Sequence, residues 1–390
     1  MLALTAASLF TPLERIERPL LLLDQGRLLE VSSRLSREVP AGVRLVDFGD
    51  GLLAPGFVDI HIHGSGGHDI MEADSRALPA VEAFIARHGV SSYFPTTVTA
   101  PVETILATLD RLATAIENRS QVACDRLRAQ PLGVHLEGPF ISHPRRGVHP
   151  PELLLGPSLK IFNDFWQAAR GHIKLITVAP ELAGSQELIA EAVKYGICVC
   201  LGHSDADLKT TRDAVAGGAR HGTHTFNAMR PLSHREPGIL GEILTDSRLT
   251  ADFIADGVHL DPAIVKLLLQ TKGLDGSVLI TDAISATGMG DGRYPLGSFE
   301  VEVKEGKCLL NGKLAGSVLT MDQAVRNLVR FTDCSLQQAL GAATLNPARV
   351  AGITGSKGCL VPGAAADIVV LGPTGEVRKT IIGGCGLDCG

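Results

Sequence analysis

Six side chains far apart in the sequence are of the types that hold a divalent cation and move a proton: His61, His63, Glu137, His203, His224 and Asp282. Imidazole and carboxylate are ligands for zinc and similar ions, and a catalytic site needs about three of them plus an open position for water. Glu137, His203 and His224 form such a set, one carboxylate and two imidazoles. His61 and His63 alternate with Ile62, so on a strand both rings point to one face, where they could hold a second ion. Asp282 would then stay beside the metal water as a base. Each residue alone has a plainer reading. His-x-His on a strand is a weak signal, Glu137 ahead of Gly138-Pro139 could accept loop hydrogen bonds, and Asp282 could cap a strand. The elements that carry them give them their weight.

From Gly56 onward short apolar segments alternate with helical stretches, the pattern of a parallel sheet made of βα units. The expected strands are Gly56–His63, Ser91–Thr99, Leu132–Glu137, Ile173–Ala179, Ile197–His203, Thr223–Asn227, Ala251–Ala255 and Val278–Asp282. Eight strands over roughly 230 residues is the count and size of a (β/α)8 TIM-like barrel. Leu78–Arg87, Glu103–Ala115 and Gln186–Tyr195 carry apolar residues at three- and four-residue spacing, as helices do. On this frame His61 and His63 end strand one, Glu137 strand three, His203 strand five and Asp282 strand eight, with His224 on strand six. Barrel active sites lie where the C-terminal strand ends converge. The six residues are therefore aimed at one mouth.

Both chain ends read as β. Leu2–Phe10 and Pro19–Leu23, with a turn at Asp24-Gln25-Gly26, begin the chain, and Cys359–Leu371 reads as strand, Pro-Gly turn, strand. A small β-sandwich built from both termini is expected, with residues 1–54 and 357–390 in it and 55–356 forming the catalytic barrel. A hairpin, Ser298–Leu310 with its turn at Glu305-Gly306, interrupts the region after the eighth strand.

Composition bounds the rest. The chain has 390 residues, 45% of them hydrophobic and 20% charged, enough for a large core and too apolar for a disordered chain. Its net charge of −6 argues against nucleic acid as the main partner. No apolar run reaches the ~18 residues of a membrane span, and Met1–Phe10 lacks the positive start of a signal peptide. The eight cysteines include no CxxC pair and fit reduced thiols in a cytoplasmic protein. Cys198 and Cys200 read as small buried residues, and Cys385 and Cys389 as an idle tail. No phosphate-loop or dinucleotide fingerprint is present, so ATP and NAD are not expected. Arg230, His234 and Arg235 form a basic group suited to gripping phosphate. Of the remaining histidines, His88, His172 and His221 are expected at the surface or at helix ends, His135 behind Glu137, and His149, His234 and His259 in loops on the active face.

At this point the sequence resembles the amidohydrolase superfamily, and within it the deacetylase branch that acts on N-acetylglucosamine 6-phosphate. The resemblance rests on Pro55-Gly56-Phe57-Val58-Asp59 with His61-x-His63, His135-Leu136-Glu137-Gly138-Pro139-Phe140, Gly147-Val148-His149 and Gly202-His203-Ser204-Asp205-Ala206. It continues through His224-Thr225-Phe226-Asn227-Ala228-Met229, Asp256-Gly257-x-His259, Thr281-Asp282-Ala283, Leu314-Ala315-Gly316-Ser317 and Asn346-Pro347-Ala348, spanning nearly the whole chain. It implies a divalent-metal hydrolase, Zn2+ first and Fe, Mn or Co next, with one or two ions per subunit. Glu137, His203 and His224 would be the ligands, joined by His61 and His63 for a second ion. Asp282 would serve as general base and acid. His149 would contact the acetamido group and help the chemistry. Val148, Asn227, Ala228, Asp256, Gly257, Val258, His259, Leu314, Ala315 and Gly316 would bind the substrate. The resemblance also implies a homodimer in which Arg235 reaches the neighbouring active site. Glu137 takes the place of the carbamylated lysine of other members, which weighs against dihydroorotase- or hydantoinase-like activity. A related amidohydrolase acting on another N-acyl amino sugar, an N-acyl amino acid or a dipeptide is the alternative.

Overall fold

Reactive side chains at strand ends meet only if the strands lie side by side and in register. In the computed structural model, which describes residues 1–119, 127–297 and 299–387, eight parallel strands do so. They are β1 (Phe57–Ile62), β2 (Val90–Thr97), β3 (Val134–Glu137), β4 (Ile173–Val178), β5 (Cys198–Leu201), β6 (His221–Gly222), β7 (Thr250–Ile254) and β8 (Ser277–Ile280). Each pairs with the next in chain order. The cylinder closes beyond β8, where Ile62 bridges Ala283 and the Asp282 N–H donates to the His61 carbonyl at 2.9 Å. Inside the seam, Thr281 Oγ1 donates to Asp59 Oδ2 at 2.6 Å. The (β/α)8 expectation is met.

Helices cover the outside. The first seven are α1 (Ala77–Arg87), α2 (Val102–Asn118), α3 (Leu159–Ala168), α4 (Ser185–Lys194), α5 (Leu208–Gly217), α6 (Gly238–Thr245) and α7 (Pro262–Gly276), one after each of the first seven strands. In α2 the buried residues Ile105, Leu109, Leu112 and Ile116 fall every three or four positions, which is one helical face. Truncating one such leucine to alanine costs about 2–5 kcal/mol. Because helices cover one face and the barrel interior the other, β1 and β2 are buried along their whole length.

The ends form the expected sandwich, with differences in detail. One sheet runs Arg27–Ser33, Pro19–Asp24, Leu2–Thr5, Arg44–Asp47, and the other Val377–Ile381, Ile368–Leu371, Leu52–Pro55, Ser8–Phe10, Arg15–Glu17. Leu4, Leu9, Leu21, Leu53, Ile368 and Val370 fill the space between them. The segment Leu2–Phe10 is therefore two strands in two sheets, broken at Ala6-Ala7, where the Ala7 N–H turns to the Gly51 carbonyl. Of Cys359–Leu371 only Ile368–Leu371 is a strand. The turn after Pro19–Asp24 holds Gln25 and Gly26 at φ 46° and 76°, the left-handed pair a tight hairpin needs.

The hairpin after the barrel is present as Phe299–Lys304 and Lys307–Leu310, flanked by Gly292–Leu296 and Lys313–Leu314; Ser298 lies outside the described residues. Its buried face (Leu296, Val301, Val303, Cys308) packs with Ile284, Val98 and Val148, which roofs the C-terminal mouth. Cys198, Cys200, Cys308, Cys334 and Cys359 are free, whereas Cys385 is in a disulfide, contrary to the expectation of reduced thiols throughout and an idle tail. Cys124 and Cys389 lie outside the described residues. Among the described residues no helix is long and apolar enough to cross a membrane.

Candidate active site

The six candidate residues stand at or within two residues of strand ends. His61 lies on β1 and Glu137 ends β3, while His203 and Asp282 follow β5 and β8 by two residues. His203 and Asp282 are expected as the last residues of their strands and His224 within one; all three lie two residues beyond, and for His224 the difference is largest because the expected strand Thr223–Asn227 is absent. β6 is only His221–Gly222, and Thr223–Asn227 is a turn. The reason is that its N–H groups leave the ladder. His224 N–H donates to Asp252 Oδ1, Thr225 N–H to the Asp252 carbonyl at 2.8 Å, and Asn227 N–H to the His224 carbonyl at 2.9 Å. His203, His224 and Asp282 have φ of 46°, 29° and 49°, a region that side-chain-bearing residues seldom adopt and that clusters at functional sites.

The side chains converge on Glu137. Its Oε1 lies 3.2 Å from His203 Nε2 and 3.1 Å from His224 Nε2, and those two nitrogens are 3.0 Å apart. Its Oε2 lies 3.4 Å from His61 Nε2 and 3.3 Å from His63 Nε2. Asp282 Oδ1 completes the second side, 3.2 Å from His63 Nε2 and 3.7 Å from His61 Nε2. One carboxylate thus joins two imidazole pairs.

Hydrogen bonds behind two of the rings orient them. His203 Nδ1–H donates to the Arg145 carbonyl at 2.9 Å, and His63 Nδ1–H to the Thr96 carbonyl at 3.2 Å. Their Nε2 atoms therefore face the cluster as cation ligands do. The edges of the Glu137–His203–His224 triangle come close to the ~3.3 Å separation of two ligands on an ion with ~2.0 Å bonds. The donor set fits a small divalent ion.

Electrostatics agree. Burial opposes ionisation of Glu137, yet the facing His61, His203 and His224 overcome it and hold the carboxyl well below the usual range. Asp282 is likewise buried, and the His63 bond with the charges of His61, His63 and His224 brings its pKa to about 2. In return, and against burial, His63 is carried up to about 10 by Asp282 and Glu137, and His224 to about 9 by Glu137.

A cavity of about 220 Å³ opens over this cluster, lined by His63, Glu137, His149, His203, His224 and Asp282. Of the expected substrate contacts, Val148, His149, Asn227, Ala228, His259, Leu314, Ala315 and Gly316 also line it. Asp256 does not; it accepts from the His259 and Val258 N–H groups and from His259 Nδ1 at 2.7 Å, so it fixes the His259 ring. Gly257 and Val258 belong to that same turn, outside the cavity wall. Arg235 and His234 are exposed on the segment before α6 and do not reach the cavity of their own chain. Arg230 is drawn off to Asp205, which also pairs with Arg145 at 2.7 Å.

His149 Nε2 lies 3.9 Å from Glu137 Oε2, and with Glu137 and His203 it forms one trio of closely spaced ligand atoms, His61, His63 and Asp282 forming another. Its Nδ1 accepts from the Thr99 N–H at 3.3 Å, which leaves the proton on Nε2. Burial lowers its pKa to about 3, so the ring is a neutral donor.

Several supporting residues carried no sequence signal. Thr99, the Arg145 and Thr96 carbonyls and Asp252 all act from places a linear motif does not mark. His221 is a correction. It is fully buried rather than at the surface, with Nε2 2.8 Å from Asp252 Oδ2 and Nδ1 2.6 Å from Thr250 Oγ1. Its carboxylate partner comes from another strand. His135 lies behind the cluster as expected, Nδ1–H donating to the Ile60 carbonyl at 3.0 Å and Nε2 accepting from Thr177 at 2.8 Å.

Comparison with known proteins adds three findings. The family model described as "Amidohydrolase family" matches residues 52–385. An N-acetylglucosamine-6-phosphate deacetylase of Bos taurus is 41% identical over 375 residues, 92% of this chain and 89% of that protein. An N-acetylgalactosamine-6-phosphate deacetylase of Escherichia coli O157:H7 is 37% identical, covering 93% and 94%. Among solved structures, a Mycobacterium smegmatis N-acetyl-D-glucosamine-6-phosphate deacetylase variant in complex with N-acetyl-D-glucosamine 6-phosphate superposes with a TM-score of 0.91 at 35% identity, over 98% of both chains.

Proposed function

The chain belongs to the amidohydrolase family, and on that premise we propose that it hydrolyses N-acetylglucosamine 6-phosphate to glucosamine 6-phosphate and acetate with a divalent metal. The observation that carries this reading is the Glu137–His203–His224 triangle, with edges of 3.0–3.2 Å, at the floor of a cavity that also holds Asp282 and His149.

Glu137, His203 and His224 hold the ion, with His61 and His63 available for a second. A bound divalent ion, Zn2+ in this reading with Fe, Mn or Co as other candidates, acidifies water and polarises a carbonyl. Asp282, ionised at neutral pH, takes a proton from the attacking water as oxygen bonds to the acetamide carbon. His149 donates its Nε2–H to the oxygen that gains charge, where fixed donors help most. Asp282 then returns the proton to the nitrogen, the C–N bond breaks, and the amine and acetic acid leave, the acid's proton passing to the amine to give an ammonium and acetate.

The sugar is held by Val148, Asn227, Ala228, His259, Leu314, Ala315 and Gly316, with the Asp256–Gly257–Val258 turn keeping His259 in place. Arg235, exposed on its own chain, reaches the phosphate in the neighbouring subunit of a homodimer. In this reading the enzyme works in the cytoplasm. Its domains divide as sandwich 1–54, catalytic barrel 55–356 and sandwich 357–390. The 37% identical galactosamine-type relative favours one second reading, the C4 epimer as substrate.

Acetate release from three compounds tests both. N-acetylglucosamine 6-phosphate is expected to have the highest kcat/KM. The unphosphorylated sugar should fall on the order of 100-fold lower, because it leaves the phosphate partners unpaired. A higher kcat/KM for N-acetylgalactosamine 6-phosphate would favour the second reading, and no acetate from any of them would end both.

A further inference from the structure

The four histidines of the cluster are not held in the same way. His63 and His203 are anchored through the ring, each giving its Nδ1–H to a backbone carbonyl. His224, like His61 on β1, has no such anchor: its Nδ1 is buried and makes no hydrogen bond among the described residues. Something else must fix where its Nε2 points.

What holds it is the backbone. His224 sits at φ 29°, and Phe226 and Ala228 at 80° and 50°, so this turn folds against its local preference. Two successive N–H groups of the turn end on Asp252 of β7: His224 N–H on Oδ1 and Thr225 N–H on the main-chain oxygen. The other carboxylate oxygen is held by His221 Nε2, 2.8 Å away, and His221 is held in turn by Thr250. Asp252 and His221 are both fully buried, so neither touches solvent or the cavity.

We propose that Asp252, braced by His221, is a positioning residue for the metal centre, fixing the backbone of His224 in its left-handed conformation and thereby the direction of its Nε2. This rests on the reading of His224 as a ligand. It gives a buried pair outside the cavity a part in the activity, and it assigns that part to one hydrogen bond from one main-chain N–H.

The test is metal affinity, read without turnover. Cobalt(II) is titrated into chelator-stripped full-length protein and followed by its visible absorption, for wild type, Asp252→Asn, the double variant His221→Leu/Asp252→Leu, and His224→Ala. Asn keeps an oxygen facing the His224 N–H, so Asp252→Asn should bind within about threefold of wild type. The double variant removes the acceptor without stranding a buried charge. It should lose 10- to 100-fold in affinity, the range for a residue that orients a ligand, with an altered spectrum. A folded double variant that binds as wild type would overturn the proposal. So would a tenfold or greater loss in Asp252→Asn; should the double variant not fold, folded Asp252→Ala takes its place, with the same loss expected and wild-type binding overturning the proposal. Wild-type binding by His224→Ala would instead refute His224 as a ligand.

Discussion

Asp282 Oδ1 lies 3.2 Å from His63 Nε2, on the side of the cluster that lines the cavity. The candidate base is thus tied to the imidazole pair on β1, not built into the Glu137–His203–His224 triangle, and it can change without dismantling that triangle. Asp282→Asn should keep its metal and lose kcat by on the order of 10²–10⁴. Metal content and turnover measured on one preparation check this; turnover near wild type would remove Asp282 from proton transfer.

The cluster also sets how metal binding responds to pH. In the metal-free chain His63 and His224 have pKa values raised to about 10 and about 9, so both carry protons at pH 7. A ligating imidazole must give up that proton. Metal binding at pH 7 should therefore release protons, and affinity should climb as pH rises toward 9. Calorimetry in buffers of different ionisation enthalpy counts the protons. Affinity that is flat from pH 6 to 8, with no release, would contradict the arrangement.

Arg235 is exposed and lies off the cavity of its own chain. If it serves a neighbour's phosphate, Arg235→Ala should raise KM for the phosphorylated sugar by on the order of 10- to 100-fold and change kcat little. Sedimentation should show a dimer. An unchanged KM would take Arg235 out of substrate binding.

Away from the metal, Glu82 offers a cleaner titration. Burial raises its pKa from 4.5 to about 7, against the pull of Arg128 and the Tyr93 hydroxyl. A carboxyl raised on folding gives stability that is full below the unfolded value and is lost as pH rises through the folded one. Between pH 5 and 8 the wild type should lose up to about 3 kcal/mol relative to Glu82→Gln. Denaturant unfolding of both in chelator checks this; parallel pH profiles would refute it.

What the sequence made legible follows from what propensity and period record. The β1–β8 alternation and the ends of β1 and β3 were readable because buried parallel strands are short apolar runs. His-x-His showed its shared face for the same reason. The turn at Thr223–Asn227 was misread as strand because Thr and Phe favour strands locally, while the Asp252 acceptors that bend it lie on another strand. His221 looked like a helix-end residue, and its burial depends on that same carboxylate. The carbonyls of Arg145 and Thr96 orient two rings, yet any residue supplies a carbonyl, so no side-chain pattern could mark them. Leu2–Phe10 hid its break because Ala6-Ala7 is as apolar as its flanks.

The most direct test follows acetate release from N-acetylglucosamine 6-phosphate in the purified full chain before chelation, after chelation and after Zn2+ is restored, with bound metal measured at each stage. Activity should disappear with the metal and return with it in wild type, and should not return in Glu137→Gln. Full acetate release by protein stripped of its ion would contradict the account.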